Sequence, residues 1–453
     1  MNWHDFRSTL NGLVTIAVKR APWVYPSFHR FITRTQWYTA SELAAFQLSQ
    51  LRRVVSHAWA TVPAYRTLMQ GLGITPQDIN TLGDITKFPI ISKQHLKRDG
   101  PSYVSTAFCP KLLFTAHTGG TSGVPVPIKR DMASIAREHA FVRRQFRWAG
   151  LTGWDRCAYL EGRRIRGPAS ARHPPYHYDA ATRELTLSTF HLEPATIQEY
   201  VKLMTRYRIV ALIAYPSAAY VLAKHSIVQG RPIRLRCVLT TSETLSIPQR
   251  TLIGEAFSCP VFDVYGSAER VVYVHTCEKG RYHIVSDYGY TELVPAALPN
   301  QDCYRVIATG FWNMAMPLIR YDMGDLVRLS RETCSCGRAF PIVHSIIGRD
   351  GNTIVTPGGV ELGASAIECI LAHILYTMYD MPVFGARVCQ ERPDLLVLDV
   401  IPGPGFGAQH ESRLLRAVSA QAPPGVRGLV RCVERIERTA RGKWLSFARN
   451  EYH

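Results

Sequence analysis

Strand-like and helix-like segments alternate through the middle of this chain of 453 residues. Short apolar runs that end in polar turns predict strands at 209–214, 237–240 and 261–264. Apolar residues at helical spacing predict helices at 41–72 (with Ser41 as N-cap), after Asp131, and at 192–207, 217–229 and 247–257. Strands that alternate with helices form βαβ units, in which neighbouring strands run parallel. We therefore predict an α/β fold with a largely parallel sheet, followed by a strand-rich region between 281 and 330.

The length of the chain suggests two or three domains, because one domain typically takes about 150 residues. We place the main boundary at Gly348–Gly351, after a stretch rich in cysteine and glycine. The prediction is a large N-terminal domain over 1–347, with mixed sheets and helices. A small, mobile α+β domain over 348–453 follows it, and that segment is long enough to fold around its own core.

Composition and charge exclude several classes of protein. Apolar residues make up 46% of the chain and charged residues 19%, which excludes a disordered or fibrous chain. The net charge of +18 favours anionic partners such as nucleotides, coenzyme phosphates, acidic carrier proteins, anionic lipid or nucleic acid, without choosing among them. We find no transmembrane run and no signal peptide. Eleven cysteines, mostly scattered singly, are typical of the reducing cytoplasm.

A loop rich in glycine and hydroxyl groups follows the apolar run 112–114 and is the first of five motifs. Glycine lets the backbone approach an anion closely, and successive N–H groups with Thr and Ser hydroxyls can hold phosphate oxygens. The residues are Thr118, Gly119, Gly120, Thr121, Ser122 and Gly123. No Gly-Lys-Ser/Thr follows, so this is not a Walker A loop, and a plain turn is the alternative.

Two further motifs place an acidic residue beside a glycine turn. In the first, Tyr265 and Gly266 precede Glu269, which supplies an aromatic face for a base and an oxygen ligand for Mg²⁺. In the second, Gly324 precedes Asp325, whose carboxylate can accept two hydrogen bonds from a ribose diol. Taken singly, each motif is also compatible with an ordinary turn at the end of a strand.

The fourth motif is the run Ile347-Gly348-Arg349-Asp350-Gly351, and the fifth is Gly442-Lys443 near the C-terminus. The order of all five motifs is more specific than any one of them. Together they resemble the adenylate-forming superfamily, with YGSAE, RYDMGD, GRDGNTI and ARGKWLSFAR matching its motifs in order. LRRVVSHAWATVPAYRTLMQGLGI, KFPIISKQHLKRD, LIAYPSAAYVLAKH and VLTTSETL resemble the branch that contains phenylacetate-CoA ligases and CapK-like proteins.

The resemblance implies a role for each matched residue. The 118–123 loop would hold the ATP phosphates, Tyr265 and Gly266 would lie against adenine opposite the backbone of Ser242 and Glu243, and Glu269 would ligate Mg²⁺. Asp325 would bind the ribose, Arg349 would contact the nucleotide, and Lys443 would neutralise charge during adenylation.

The activity implied is the ATP-dependent conversion of a carboxylic acid to an acyl-adenylate, followed by transfer to a nucleophile. We expect that acceptor to be the CoA thiol, and a carrier-protein thiol or an amine are the alternatives. Tyr215, Pro216, Phe141 and Trp148 are candidates for an acyl pocket, with an ordinary core as the alternative. The oligomeric state stays open, with a dimer as one option.

Two positions depart from the superfamily pattern. Gly351 stands where the hinge usually carries Asp or Lys, so a side-chain role is lost there although hinging is retained. The usual Lys after the Pro of the phosphate loop is missing, and Lys129 is a weak substitute.

Cys277, His283, Cys334 and Cys336 form two pairs of soft ligands, which suit tetrahedral zinc. The spacing is not that of two C-x-x-C units, and His275 is a competing ligand. Some members of the phenylacetate-ligase branch resemble this pattern and hold a structural zinc. With four ligands the site would be structural, and reduced buried thiols are the alternative.

Two other classes of function compete with a ligase. Arginine runs at 163–166 and 431–441 suggest nucleic-acid binding as one rival function. No recognition motif accompanies them, so we expect no nucleic-acid partner. A non-catalytic CapK-like scaffold is the second rival, and the retained Glu269, Asp325 and Lys443 argue against it.

Overall fold

The computed structural model describes most of the chain. The described residues are 17–118, 125–162, 165, 175–228, 230, 233–296, 303–330, 332–349, 354–359, 361–362, 364–436, 438–439, 442–444 and 447–449. Gly119, Gly120, Thr121, Ser122 and Gly123 of the predicted phosphate loop, and Gly351 of the predicted hinge, lie outside the described residues.

Helices and strands of the described residues are numbered in chain order. The α-helices are α1 (Tyr25–Thr35), α2 (Ala40–Thr61), α3 (Pro63–Leu72), α4 (Lys93–Asp99), α5 (Met132–Trp148), α6 (Pro194–Arg206), α7 (Pro216–Val228), α8 (Ile247–Phe257), α9 (Ala364–Thr377) and α10 (Ala408–Gln421). The strands are β1 (Phe114–His117), β2 (Pro127–Arg130), β3 (Cys157–Glu161), β4 (Tyr176–Asp179), β5 (Glu184–Ser188), β6 (Ala211–Ala214), β7 (Cys237–Thr241), β8 (Val261–Gly266), β9 (Tyr273–Thr276), β10 (Tyr282–Ile284), β11 (Gly289–Pro295), β12 (Cys303–Gly310), β13 (Tyr321–Leu329), β14 (Ile342–Arg349), β15 (Ile354–Val355), β16 (Glu361–Leu362), β17 (Val383–Arg392), β18 (Leu395–Pro402), β19 (Arg427–Cys432) and β20 (Phe447–Arg449).

The chain divides into two units. Unit 1 comprises Met1–Gly153 and Val264–Ile346, and unit 2 comprises Trp154–Asp263 and Ile347–His453. One of the crossings between them falls at 346/347, one residue before the predicted domain boundary. The residues after that crossing belong to the same unit as 154–263, and a mobile domain over 348–453 stays a prediction.

Unit 1 is built on antiparallel strands. They lie in the order β11-β12-β13-β14-β10-β9, and β9 pairs with the last residues of β8. The strand-rich region predicted between 281 and 330 is confirmed by β10 to β13. Helices α2 and α3 pack on a buried core shared with these strands.

Unit 2 contains the predicted parallel strands. Strands β7, β6, β3 and β5 pair in parallel in that order, and β4 closes the edge in the antiparallel direction. A second sheet in this unit has the order β19-β18-β17-β20, with parallel outer pairs around an antiparallel centre. The predicted mixed α/β fold is confirmed.

The helical segment predicted at 41–72 was wrong in two respects, its N-cap and its continuity. Thr39, not Ser41, is the N-cap of α2: its hydroxyl accepts the Glu42 N–H at 3.3 Å, and the Glu42 carboxylate accepts the Thr39 N–H at 2.8 Å. This reciprocal pair satisfies two N–H groups that the helix cannot bond internally. The segment is also two helices, because Pro63 lacks an N–H and disfavours helical geometry at Val62.

Among the residues that the structure describes, no helix combines the length and the apolar character needed to cross a bilayer.

Candidate functional site

Tyr265 and Asp325, predicted from separate motifs, are hydrogen-bonded in unit 1. Tyr265 lies at the end of β8 and Asp325 lies in β13. The Tyr265 hydroxyl donates to Asp325 Oδ2 at 2.7 Å, and Asp325 is largely buried. Gly266 beside them is closely packed, because a Cβ at that position would lie 3.2 Å from the ring of Tyr273. The structure therefore brings the expected aromatic ring and ribose-binding acid together.

Glu269 lies in the turn that follows β8 and is 7% exposed. The Tyr321 hydroxyl donates to its Oε1 at 3.2 Å, so the carboxylate is oriented by a neighbouring strand. Arg130 donates to the carbonyl of Ala268, and Arg270 takes the left-handed conformation at φ 57°. Burial, together with the charge of Arg270, lowers the pKa of Arg130 to about 10. A carboxylate held this way keeps free oxygen lone pairs for a cation.

Thr118 is the one residue of the predicted phosphate loop that the structure describes. Its backbone N–H donates to the Val126 carbonyl at 3.0 Å, and its hydroxyl accepts the Val126 N–H at the same distance. These bonds close the β1–β2 hairpin at the base of the loop. On that hairpin, Lys129 Nζ donates to Thr115 Oγ1 at 2.9 Å.

Lys443 contacts a second predicted motif within unit 2. Its Nζ donates to the Ser242 carbonyl at 2.7 Å, across 201 residues of sequence, and lies 5.9 Å from the centroid of the Tyr215 ring. Ser242 has φ 72°, a left-handed conformation that a non-glycine residue adopts only at a cost of about 1–3 kcal/mol. Strain of this kind is concentrated at functional sites, and here it sets the carbonyl that accepts from Lys443.

Glu243 joins three segments of unit 2. Its carboxylate accepts the Trp444 N–H at 2.8 Å and the Ser217 N–H at 3.1 Å. Burial raises the pKa of this carboxyl, and the two N–H donors and the charge of Lys443 act against that rise. The sequence prediction gave a role only to the backbone of Ser242 and Glu243. The Glu243 side chain has a further role, since it holds the segment that contains Lys443 in place.

Glycine is required at position 442 by space and by conformation. Its φ is 71°, and a Cβ there would overlap Thr189 Oγ1 and lie 3.1 Å from Phe190 Cζ. Arg349 ends β14 and is half-buried in the same unit. Its predicted contact with a nucleotide stays a prediction.

The four predicted metal-ligand residues lie together in unit 1. The ligand atoms of Cys277, His283, Cys334 and Cys336 all lie within 4.8 Å of one another. The Sγ atoms of Cys277 and Cys334 are 3.6 Å apart, and Cys336 Sγ is 3.4 Å from His283 Nε2. His275 is not part of this group, which resolves the choice between the two histidines.

Contacts around the cluster favour the ligand form of His283 and of Cys277. His283 Nδ1 lies 3.0 Å from the Phe340 carbonyl, so this nitrogen carries the proton and Nε2 faces the sulfur atoms with a lone pair. Burial lowers the pKa of His283, and the charge of Arg338 adds to that effect. The Lys279 N–H donates to Cys277 Sγ at 3.3 Å, a bond that stabilises a thiolate.

Two of the four candidates for an acyl pocket belong to the core of unit 1. Phe141 is fully buried against Phe28 and Tyr288, and Trp148 stacks beneath the guanidinium of Arg338 at 3.7 Å. Tyr215 and Pro216 are buried in unit 2, where Tyr215 faces Lys443.

Three residues of these arrangements were missed by sequence reasoning. Tyr321 lies inside a quoted motif, so its proximity to Glu269 had a signal that was not used. Trp444 also lies inside a quoted motif, ARGKWLSFAR, but nothing in that motif predicts its partners, and Arg130 had no signal because an arginine that ends a strand is common on ordinary surfaces.

Comparison with known proteins extends these findings. No family model matches the chain. It is 24% identical over 356 residues to a phenylacetate-coenzyme A ligase of Thermus thermophilus, with 74% of this chain and 76% of the relative covered. It is 23% identical over 257 residues to Protein CapK of Staphylococcus aureus, with 56% of each covered.

A solved structure agrees with the fold over most of the chain. It is 2-hydroxyisobutyryl-CoA ligase in the postadenylation state in complex with 2-HIB-AMP, which matches with a TM-score of 0.71 and 22% identity over 92% of both chains. The resemblance inferred from the motifs is confirmed: the chain has the fold of adenylate-forming acyl-CoA ligases, and its sequence relatives include phenylacetate-CoA ligases and CapK.

Proposed function

We propose that this protein is an AMP-forming ligase that activates a carboxylic acid as its acyl-adenylate and transfers the acyl group to CoA. The observation that carries the proposal is the contact of Lys443 Nζ with the Ser242 carbonyl, which joins two superfamily motifs 201 residues apart. The bonded pair Tyr265–Asp325 and the oriented Glu269 support it.

In this proposal the chain's own residues position reactants rather than form covalent intermediates. The substrate carboxylate attacks the α-phosphorus of ATP and pyrophosphate leaves, so one P–O bond forms and one breaks. Tyr265 and Asp325 hold the nucleoside, the 118–123 loop and Arg349 bind the phosphates and nucleotide, and Lys443 offsets the negative charge that develops at phosphorus. Glu269 would hold Mg²⁺, which neutralises charge on the phosphates when bound.

The acceptor in the second step is the CoA thiol in this proposal. The names of the curated relatives support it, since they are coenzyme A ligases. The net charge of +18 suits the phosphates of CoA but suits an acidic carrier protein equally. A carrier-protein thiol or an amine is therefore the alternative acceptor.

Hydroxylamine trapping over a panel of aryl, aliphatic and amino acids tests the first step whatever the acceptor is. We expect ATP-dependent hydroxamate from a subset of the acids. Repeating the reaction with CoA in place of hydroxylamine then detects a thioester. No hydroxamate from any acid, with ATP bound, would favour the non-catalytic scaffold.

Substituting Glu269→Gln tests the magnesium ligand. The amide removes one negative charge while it keeps an oxygen that Tyr321 can contact, so the fold should be retained. We expect the Mg²⁺ concentration for half-maximal pyrophosphate exchange to rise about tenfold, the equivalent of about 1.4 kcal/mol. The matched control is the exposed carboxylate Glu332→Gln. Superimposable Mg²⁺ titrations for both variants and the unmodified protein would rule out the assignment.

We also propose that Cys277, His283, Cys334 and Cys336 bind one structural zinc ion. Three sulfur atoms and one imidazole nitrogen within 4.8 Å match the tetrahedral donor set that zinc prefers. All four ligand positions are filled, so the ion would brace the turn at Cys277 against the segment 334–336. It would take no part in the reaction.

Elemental analysis tests the zinc proposal directly. We expect about one zinc ion per chain, and a lower midpoint of thermal unfolding after removal by a strong chelator, because binding free energy at such a site is folding free energy. Cys336→Ser should lose the metal, whereas the exposed Cys109→Ser should keep it. A metal-free protein with an unchanged unfolding midpoint would contradict the proposal.

We infer a cytoplasmic location and small-molecule partners. No disulfide joins the ten cysteines whose state the structure describes, which fits a reducing compartment. Arg431 forms ion pairs with Asp399 and Glu391, which partly neutralise the arginine run at 431–441. This weakens the argument for a nucleic-acid partner. A carboxylic acid, ATP and an acyl acceptor are therefore the partners we propose.

A further inference from the structure

Unit 2 contains a cavity that has no part in the proposed reaction. Its volume is about 840 Å³, within the range of about 300–1,000 Å³ typical of small-molecule sites. Neither Lys443 nor Ser242 lines it. Most of its wall is apolar, including Phe190, Ile197, Val221, Phe384, Ile401 and Trp444. A wall of this kind favours an aliphatic or aromatic body.

Two buried side chains of the wall lack hydrogen-bond partners among the described residues. His225 is 2% exposed, and neither of its ring nitrogens has a partner. The indole nitrogen of Trp444 is also buried without a partner. Buried polar groups of this type are normally satisfied, and leaving them unpaired is unfavourable. A ligand oxygen beside them would recover the missing bonds.

Charges at the cavity have both signs. Glu193, Glu434 and Arg435 are exposed, and Arg438 is half-buried with its guanidinium 5.1 Å from the centroid of the Trp444 ring. Burial keeps the His225 ring neutral by lowering its pKa, so it offers one N–H donor and one acceptor. The cavity therefore does not select a multiply charged ligand such as a nucleotide.

We propose that this cavity binds a medium-chain aliphatic or bicyclic aromatic molecule whose one oxygen-bearing head hydrogen-bonds to His225 and Trp444. Such a ligand packs between α7 and the segment that precedes β20. Trp444 is tightly fitted there, because any Cβ at Gly385 would overlap its ring.

Occupancy of the cavity has a consequence for Lys443. The Trp444 backbone is bonded to Glu243, and Lys443 is the preceding residue. A ligand on Trp444 stabilises the arrangement in which Lys443 contacts Ser242, since a molecule that binds one conformation increases its population. This effect on activity rests on the proposed function, whereas binding itself does not.

Fluorescence titration with 8-anilino-1-naphthalenesulfonate, with decanoic acid as competitor, tests the proposal on the full chain. We expect about one dye molecule bound per chain and its displacement by decanoate. Ile401→Trp and Val433→Trp fill the cavity from two partly exposed positions and should weaken decanoate binding about tenfold or more. His225→Phe keeps the ring shape and should weaken it about fivefold, through loss of one hydrogen bond.

The matched control is Ile227→Trp, which adds the same side chain at an exposed position of α7 outside the cavity and should leave decanoate binding unchanged. Circular dichroism checks that each variant is folded. The test needs only one of the two cavity-filling variants, Ile401→Trp or Val433→Trp, to be folded. Decanoate affinity retained in a folded filling variant, or absent from the unmodified protein, would overturn the proposal. Pyrophosphate exchange measured in parallel separates the ligand-binding proposal from the ligase proposal. If the protein shows no exchange but still binds decanoate, and the filling variants weaken that binding, only the ligase proposal is refuted.

Discussion

Lys443→Ala is expected to lower acid-dependent pyrophosphate exchange by about 10²–10³-fold, the effect typical of removing one electrostatic contact to a transition state. ATP binding should be nearly unchanged, because the nucleoside contacts are assigned to Tyr265 and Asp325. The measurement is isotope exchange between pyrophosphate and ATP, with ATP affinity from calorimetry. The amino group now donates to the Ser242 carbonyl, so its removal leaves no buried charge and the fold should persist.

The control for this prediction is Lys202→Ala, which removes an exposed lysine of α6 in the same unit. Lys443→Arg should recover only part of the exchange, because a planar guanidinium cannot replace a compact ammonium group at the same carbonyl. Equal exchange in Lys443→Ala and Lys202→Ala would remove Lys443 from the mechanism.

Asp287→Ala is expected to lower the free energy of unfolding of unit 1 by about 3–5 kcal/mol, the cost typical of breaking a buried ion pair. Asp287 and Arg144 are 0% and 1% exposed, and two bonds of 2.9 and 2.6 Å join them. Thr35 donates to the same carboxylate. Without the Asp287 carboxylate, the charged Arg144 guanidinium stays buried. Its remaining hydrogen-bond acceptor among the described residues is the Ile32 carbonyl at 2.8 Å.

Urea unfolding followed by circular dichroism measures this loss. The matched control is Glu332→Ala, which breaks an exposed pair with Arg281 in the same unit and should cost at most about 1 kcal/mol. Asp287→Asn keeps one acceptor oxygen and should fall between the two, which keeps the test available if the alanine variant does not fold. A loss below about 1 kcal/mol for both Asp287 variants would contradict the role of this pair.

Local sequence signals located several helices of the first 257 residues, strands β6 to β8 and the residues of the metal cluster. Helix α8 was predicted at its observed bounds, and local chemistry explains them: Ser246 is its N-cap, and Pro248 lies in the first turn, where a missing N–H is tolerated. The error at α2 came from choosing between two adjacent hydroxyl residues, Thr39 and Ser41. Only the position of Glu42 three residues after Thr39 distinguishes them, through the capping box.

Partners distant in sequence had no local signal. Nothing near Glu243 predicts that its side chain accepts the Trp444 N–H, and nothing near Arg144 predicts Asp287 as its partner. His275 and His283 are equally plausible ligands in sequence. They differ only because adjacent antiparallel strands place His283, and not His275, beside Cys336.

The sequence by itself determined the alternation of strands and helices, the order of the motifs and the types of residue available as ligands. These properties depend on neighbours within a few residues, through hydrogen bonding, glycine geometry and the periodicity of apolar residues. Only the tertiary structure decided which carboxylate meets which hydroxyl or amine, and that an apolar cavity in unit 2 holds two side chains whose three nitrogens lack partners among the described residues. Such pairings depend on packing between residues as far apart in sequence as Thr35 and Asp287, which are separated by 252 residues, and no local pattern specifies them.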